Sequence, residues 1–333
     1  MQEIEKDIIV CALSGIYSFS LSEKINLFKK LDSSNDLALL SLKVNSASFL
    51  HDAKVAASIL RTRKISYCLY GDKDYPALLK EIPDAPFALF YRGNISVLHN
   101  KCVSVVGTRH LTPCGAEAAY SFAYDAAISG ETIVSGLAIG ADGKAHRGAV
   151  CANFDAMAQD FVTACDCGKT VAVLPCGIDS ITPQSNRKLA EQILQTGGCL
   201  VSEYPPSEDS PPWHFVQRNR IIAGLSEATV VIQAPVGSGA LITADFALDY
   251  NRDVIFHESA ISSEAQKVSD VALHKLKTQV FCKEQKKSKL ARNIQCYIES
   301  GAPVIKNYEE YKTCLNDLPG KHSLQLSLNL EGV

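Results

Sequence analysis

From Lys101 to Phe256 short apolar runs alternate with helical stretches, and this rhythm limits what the chain can fold into more than any other property. Cys102–Val106, Thr132–Ser135, Thr170–Leu174, Cys199–Val201, Ala228–Gln233 and Asp253–Phe256 are apolar at nearly every position, so they predict strands covered on both faces. Cys114–Ile128, Gly143–Cys151, Ser185–Gln195 and Thr243–Tyr250 have helical spacing and supply the crossovers. Strand and helix in repetition predict an α/β fold with a parallel sheet and helices on both faces. Ligands of such sheets bind outside the carboxyl ends of the strands. Those ends carry Gly, Ser, Asn and Arg on several loops, which predicts an anion-binding face rather than one phosphate loop.

The flanks read differently. Residues 1–65 show short amphipathic stretches broken by Ser-Gly, Ser-Ser-Asn and Asn-Ser, which predict a small helical domain. The turn Leu13-Ser14-Gly15-Ile16 fits either a helix-hairpin-helix DNA module or a scaffold, and the scarcity of basic residues there favours the scaffold. Residues 66–100, with aromatic runs and prolines, predict a connector with short strands. Residues 101–317 are expected to form the main domain, with surface insertions near 152–168 and 258–293. Leu318-Pro319-Gly320 signals a linker into a flexible tail, 318–333.

An apolar content of 47% is ample for a core, whereas 33 basic against 36 acidic residues give no global case for nucleic-acid binding; any basic surface has to be local. The acidic, polar start of the chain is no signal peptide, and no run is long enough to span a bilayer, so a cytoplasmic protein without membrane contact is expected. The chain has 12 cysteines, but several sit in apolar runs and none forms a CxxC pair, so reduced core thiols are expected and no metal site.

The motif loops define the candidate chemistry. Gly107-Thr108-Arg109 ends the first strand with a glycine, a hydroxyl and a permanent cation suited to phosphate. Ser135-Gly136 with Gly140 follows the second strand, and Lys144 is a further cation in that loop. Ser238-Gly239 opens a helix whose early turns include Thr243, where backbone N–H groups and the helix dipole hold an anion. Arg218 and Arg220 flank Asn219 and are expected to face solvent. Trp213, His214 and Phe215 offer stacking surfaces, although packing of a Pro-rich loop accounts for at least one of them. No GxGxxG or Walker A pattern is present, which disfavours a nicotinamide cofactor and P-loop hydrolysis. A Ser135–His146–Asp142 triad is rejected for want of a nucleophile elbow, Asp142 being the expected helix cap.

Together these motifs, with Val173-Leu174-Pro175-Cys176-Gly177 and Tyr204-Pro205-Pro206, resemble the DNA processing protein A (Smf) family of bacterial recombination mediators over about residues 66–257. The resemblance implies an extended Rossmann-like core preceded by a helical domain of sterile-alpha-motif or helix-hairpin-helix type. It also implies a homodimer without catalytic residues or cofactor. Such a protein binds single-stranded DNA without sequence preference, protects it and loads the RecA recombinase in DNA uptake and natural transformation. Carried over, the DNA-binding set is Gly107, Arg109, Ser135, Gly136, Arg218, Asn219, Arg220, Ser238 and Gly239; Thr108, Gly140, Lys144 and Thr243 join it from their places in the same loops. The chain departs from the family at Ile139, where arginine is common, and at Asp245, where a basic residue is common; both changes are expected to weaken phosphate binding. His257-Glu258 replaces a Pro-Gly turn near the family's dimer surface, and no winged helix is expected after Gly301-Ala302-Pro303-Val304. Within the tail, Gln325, Leu326, Leu328 and Leu330 resemble a peptide that docks on the sliding clamp. The alternative function is a small-nucleotide sensor or phosphoribohydrolase of the lysine-decarboxylase-like group, disfavoured because Gly237–Ala244 lacks a glutamate.

Overall fold

The structure, a computed structural model, describes residues 3–31, 36–37, 48–158, 167–279 and 283–317. The helices α1 (Glu3–Ser14), α2 (Leu21–Lys30) and α3 (Phe49–Thr62) come first. Ser20 and Glu23 form a reciprocal capping box at the start of α2, which satisfies its exposed N–H groups. Next come β1 (Ser66–Leu69), the single turn α4 (Ala77–Lys80) and β2 (Ala88–Gly93). The central alternation runs β3 (Cys102–Val106), α5 (Pro113–Ile128), β4 (Thr132–Ser135), α6 (Ala141–Ala158), β5 (Thr170–Val173), α7 (Arg187–Gln195) and β6 (Cys199–Ser202). It continues through α8 (Pro212–Gly224), β7 (Ala228–Val231), α9 (Gly239–Asp249) and β8 (Asp253–His257). The chain then adds α10 (Ser263–Thr278), α11 (Lys283–Ala291), α12 (Ile294–Glu299), β9 (Val304–Ile305) and α13 (Tyr308–Asp317).

The nine strands among the described residues share one sheet in the order β1-β2-β6-β5-β4-β3-β7-β8-β9. From β6 to β9 neighbouring strands are parallel, while β2 is antiparallel to both β1 and β6. Side chains alternate between the two covered faces as a pleated strand requires. Val103 and Val105 pack with alanines of α5 and α6, whereas Cys102 and Val106 pack toward Ile221 and Leu241. The expected parallel sheet with helices on both faces is therefore present, with a short antiparallel pair added at one edge.

The short strands expected in residues 66–100 are β1 and β2, and they pair onto the edge of the main sheet. Near 152–168, α6 continues to Ala158, and buried Asn153 donates to Ala149 O and Gly168 O at 2.9 and 2.8 Å. The segment 258–293 carries α10 and α11 and is tied to the site described below, where Gly237 N–H donates to Arg292 O and Val236 N–H to Ser269 Oγ. The N-terminal helices share one apolar cluster with the sheet, in which Leu13 and Leu60 belong with Ala172, Leu174 and Leu200. In the Leu13–Ile16 turn Leu13, Ser14 and Ile16 are buried. The described cysteines are all free, and no group of His, Cys, Asp and Glu among the described residues is arranged to hold a metal. No helix among them is long and apolar enough to cross a membrane. The tail residues Gln325, Leu326, Leu328 and Leu330 lie outside the described residues.

Candidate nucleic-acid interface

The chain runs from β3 outward to β6, then returns to the other side of β3 to place β7. The carboxyl ends of β3 and β7 therefore diverge, which opens a crevice at the switch point of the sheet. A cleft of about 430 Å³ lies there. It is lined by Gly107, Thr108 and Arg109 from the loop after β3, by Phe215, Arg218 and Asn219 from α8, and by Ser238, Gly239 and Thr243 from the start of α9.

Each wall has a local cause. Thr108 N–H donates to Gln233 O at 2.7 Å and Ala141 N–H to Thr108 O at 3.1 Å, so the β3 loop is stitched to the segment after β7 on one side and to the start of α6 on the other. At the opposite wall Ser238 caps α9 by accepting from Ala240 N–H, and Asn219 Nδ2 donates to Gly239 O at 3.3 Å. A side chain at Gly239 would meet open space, so the first N–H groups of α9 stay approachable. Arg109 is exposed, and its guanidinium carbon lies 5.4 Å from the centre of the Phe215 ring. That contact holds a cation at the lip without neutralising it.

Arg218 forms the floor and is only 3% exposed. Its Nη1 donates to Gly136 O at 2.5 Å and also to Val173 O. A Cβ on Gly136 would sit 2.1 Å from that nitrogen, so the glycine makes room for the arginine. Gly140, at φ +92°, serves packing too, because a Cβ there would lie 2.3 Å from Thr108 O. Burial pushes the Asp142 carboxyl upward, opposed by Arg218, and the same burial pulls the Arg218 guanidinium downward, opposed by Asp142. The two are a buried pair of opposite charge, and Asp142 accepts from Ala138 N–H instead of capping α6.

The remaining candidates fall away from the cleft. Ser135 is buried and donates to Val105 O at 2.6 Å; Lys144 is absent from the lining. Arg220 does not face solvent beside Arg218: it lies on another side of α8, ion-paired with Asp84 at 3.1 Å and Glu203 at 2.5 Å. His146 is turned into the core with Nδ1 2.7 Å from Thr170 Oγ1, and burial, with Arg218 nearby, pushes its pKa down to about 3. His214 is buried with its ring stacked 3.8 Å from that of Tyr204, which leaves Phe215 and Trp213 as accessible rings. Asp245 is engaged, 2.6 Å from Arg292 Nε, and also accepts from Tyr297 Oη. Sequence reasoning missed that neutralisation, since nothing in the pattern ties position 245 to 292. The joint placement of Phe215 with Arg218, Asn219 and Ile222 did have a signal, the i, i+3, i+4, i+7 spacing of one helix face.

The model of the family described as DNA recombination-mediator protein A matches residues 66–292. Protein Smf of Borreliella burgdorferi is 34% identical over 77% of this chain and 81% of its own length. Protein Smf of Synechocystis is 43% identical over 55% of this chain, but only 43% of its own length is spanned. Among solved structures, DNA processing protein A of Streptococcus pneumoniae superposes over 93% of both chains with a TM-score of 0.60 and 26% identity. DNA processing protein A of Helicobacter pylori, whose structure addresses its single-stranded DNA binding mode, shares the fold at a TM-score of 0.56 and 23% identity, over 76% of this chain and 97% of its own. With its cleft at the switch point and this match across the sheet, the chain belongs to the DNA recombination-mediator protein A family.

Proposed function

We propose that the protein binds single-stranded DNA in the β3/β7 cleft without reading its sequence. We further propose that it acts in the cytoplasm as a non-enzymatic mediator that hands the strand to the RecA recombinase. The observation that carries this reading is the convergence of an exposed cation, a ring and an open helix N-terminus on one cleft: Arg109, Phe215 and Gly239. A phosphate fits the N–H groups of α9 and the guanidinium of Arg109, while a base stacks on Phe215. Such contacts hold a backbone and position it without distinguishing bases. With Arg218 paired internally and Arg220 elsewhere, each protomer offers few phosphate contacts, so useful affinity calls for a second copy on the same strand. Homodimerisation is accordingly part of the proposal. Clamp docking by Gln325, Leu326, Leu328 and Leu330 is a separate proposal, tested by pull-down before and after removal of residues 324–333.

The decisive measurement is fluorescence anisotropy of labelled oligo-dT across a salt series, for the native chain and for Arg109→Ala and Gly239→Glu. Salt-sensitive binding that both substitutions weaken supports the cleft. Absence of binding at low salt defeats the DNA reading and moves small nucleotides to the front.

A further inference from the structure

A second cleft, of about 300 Å³, lies on another side of α8, between the N-terminal helices and the edge of the sheet. Residues of α8 separate by helical spacing: Phe215, Arg218 and Asn219 line the first cleft, and Trp213, Gln217 and Arg220 the second. The second is walled by Tyr17 and Trp213, whose rings meet edge to face 5.2 Å apart, with Tyr204 behind Tyr17 at 6.1 Å. Its polar groups are incompletely used. Arg220 is 6% exposed and Tyr204 1%, yet Arg220 Nη1, Tyr204 Oη and Glu203 Oε1 have no hydrogen-bond partner. Buried polar atoms in native proteins are nearly always paired, so such a cluster within residues that line one cleft points to a ligand that shifts these side chains to reach the covered atoms.

The charge inside is balanced. Arg220 and Lys24 stand against Glu203 and Asp84, and burial pushes the Lys24 pKa down to about 8. A phosphate would meet two carboxylates there. An uncharged, flat group with both donors and acceptors on its edge matches the rings and the unpaired atoms together. A nucleobase has that chemistry, because unstacked bases are held between aromatic faces and read along their hydrogen-bonding edges.

We infer that this cleft is a nucleobase site, in which the base packs on Tyr17 and Trp213 and, as the Glu203 and Arg220 side chains turn toward it, donates to Glu203 Oε1 and accepts from Arg220 Nη1. Guanine is the best probe, since its edge carries donors beside an acceptor. The base comes either from a free nucleoside or from the strand held in the first cleft. The inference does not depend on DNA binding there, because an uncharged nucleoside tests it alone.

Trp213 is the sole tryptophan of the chain, so its fluorescence reports the cleft directly. Deoxyguanosine titrated into the full chain, with excitation beyond nucleoside absorption and free tryptophan as the control, is expected to quench it saturably. Glu203→Gln is expected to weaken that binding about tenfold, the scale of one hydrogen bond to a charged group. Tyr17→Ala, which removes a ring 46% exposed, gives an independent reading if Glu203→Gln disturbs the fold. Quenching by the nucleoside but not by an oligonucleotide identifies a free-nucleoside site. Quenching by both, with the oligonucleotide effect lost in Arg109→Ala, identifies a base of the bound strand. Absence of saturable quenching by deoxyguanosine, or equal quenching in the native chain and both variants, overturns the inference.

Discussion

The lip and the floor of the β3/β7 cleft each present an arginine, and the two are held in opposite ways. Arg109 at the lip is exposed, rests against Phe215 and keeps its hydrogen-bonding capacity for a ligand. Arg218 at the floor is buried, donates to two main-chain carbonyls and faces Asp142. The same residue type is at one place available to an anion and at the other a strut between strands. Arginine in a motif therefore predicts a cation in the neighbourhood, and burial decides whether that cation can meet a phosphate.

The largest test of this contrast is Arg218→Ala. It should cost about 3–5 kcal/mol, because Asp142 is left buried without its opposite charge. Urea unfolding measures the loss, and a change below 1 kcal/mol, on the order of a surface ion pair, would show the floor to be as dispensable as the lip. Arg109→Ala should do the reverse. Stability is expected to stay within about 0.5 kcal/mol, while affinity for oligo-dT falls about tenfold and the log–log salt slope drops by about 0.7, the value for one contact to a single strand.

A third test concerns Lys24. Burial lowers its folded pKa from the ordinary 10.5 to about 8, so the unfolded chain binds more protons between those limits. Stability should rise with pH across that window, and below it the cost of burying the charge is present in full. Lys24→Met should flatten the rise, and the difference between the two unfolding curves cancels the titration of the tyrosines. The smallest effect is expected at Asp245. Because Arg292 and Tyr297 already engage it, Asp245→Asn should alter DNA affinity by less than about twofold and stability by no more than about 1 kcal/mol. A large gain in affinity would instead show an uncompensated negative charge at the cleft.

The sheet was legible because its strands are covered on both faces, which leaves nearly continuous apolar runs. Cys102–Val106 and Thr132–Ser135 coincide with β3 and β4 for that reason. Ala228–Gln233 overshoots β7, since Ile232 and Gln233 are buried beyond the paired strand and Gln233 spends its amide on Thr112 and Ser259 O. At the site, the Gly107–Arg109 and Ser238-Gly239 loops could be placed from sequence because strand ends and helix starts are local signals. The fate of Arg220 could not, because Glu203 and Asp84 reach it through tertiary packing alone. Arg218 misled for the same reason: its partners are backbone carbonyls, and those leave no mark in a sequence.

The apolar cluster shared by α1, α3 and the sheet bears on how the molecule can be cut. The family match begins at residue 66, so it invites a shortened fragment starting there. Leu13, Leu60 and their neighbours would leave with the removed helices, and Ala172, Leu174 and Leu200 would lose the cover they now share with them. A greasy surface would be laid bare beside the strands, and such a surface drives self-association. The boundary drawn by resemblance and the boundary of cooperative folding are thus different lines, and a soluble working fragment has to begin at α1.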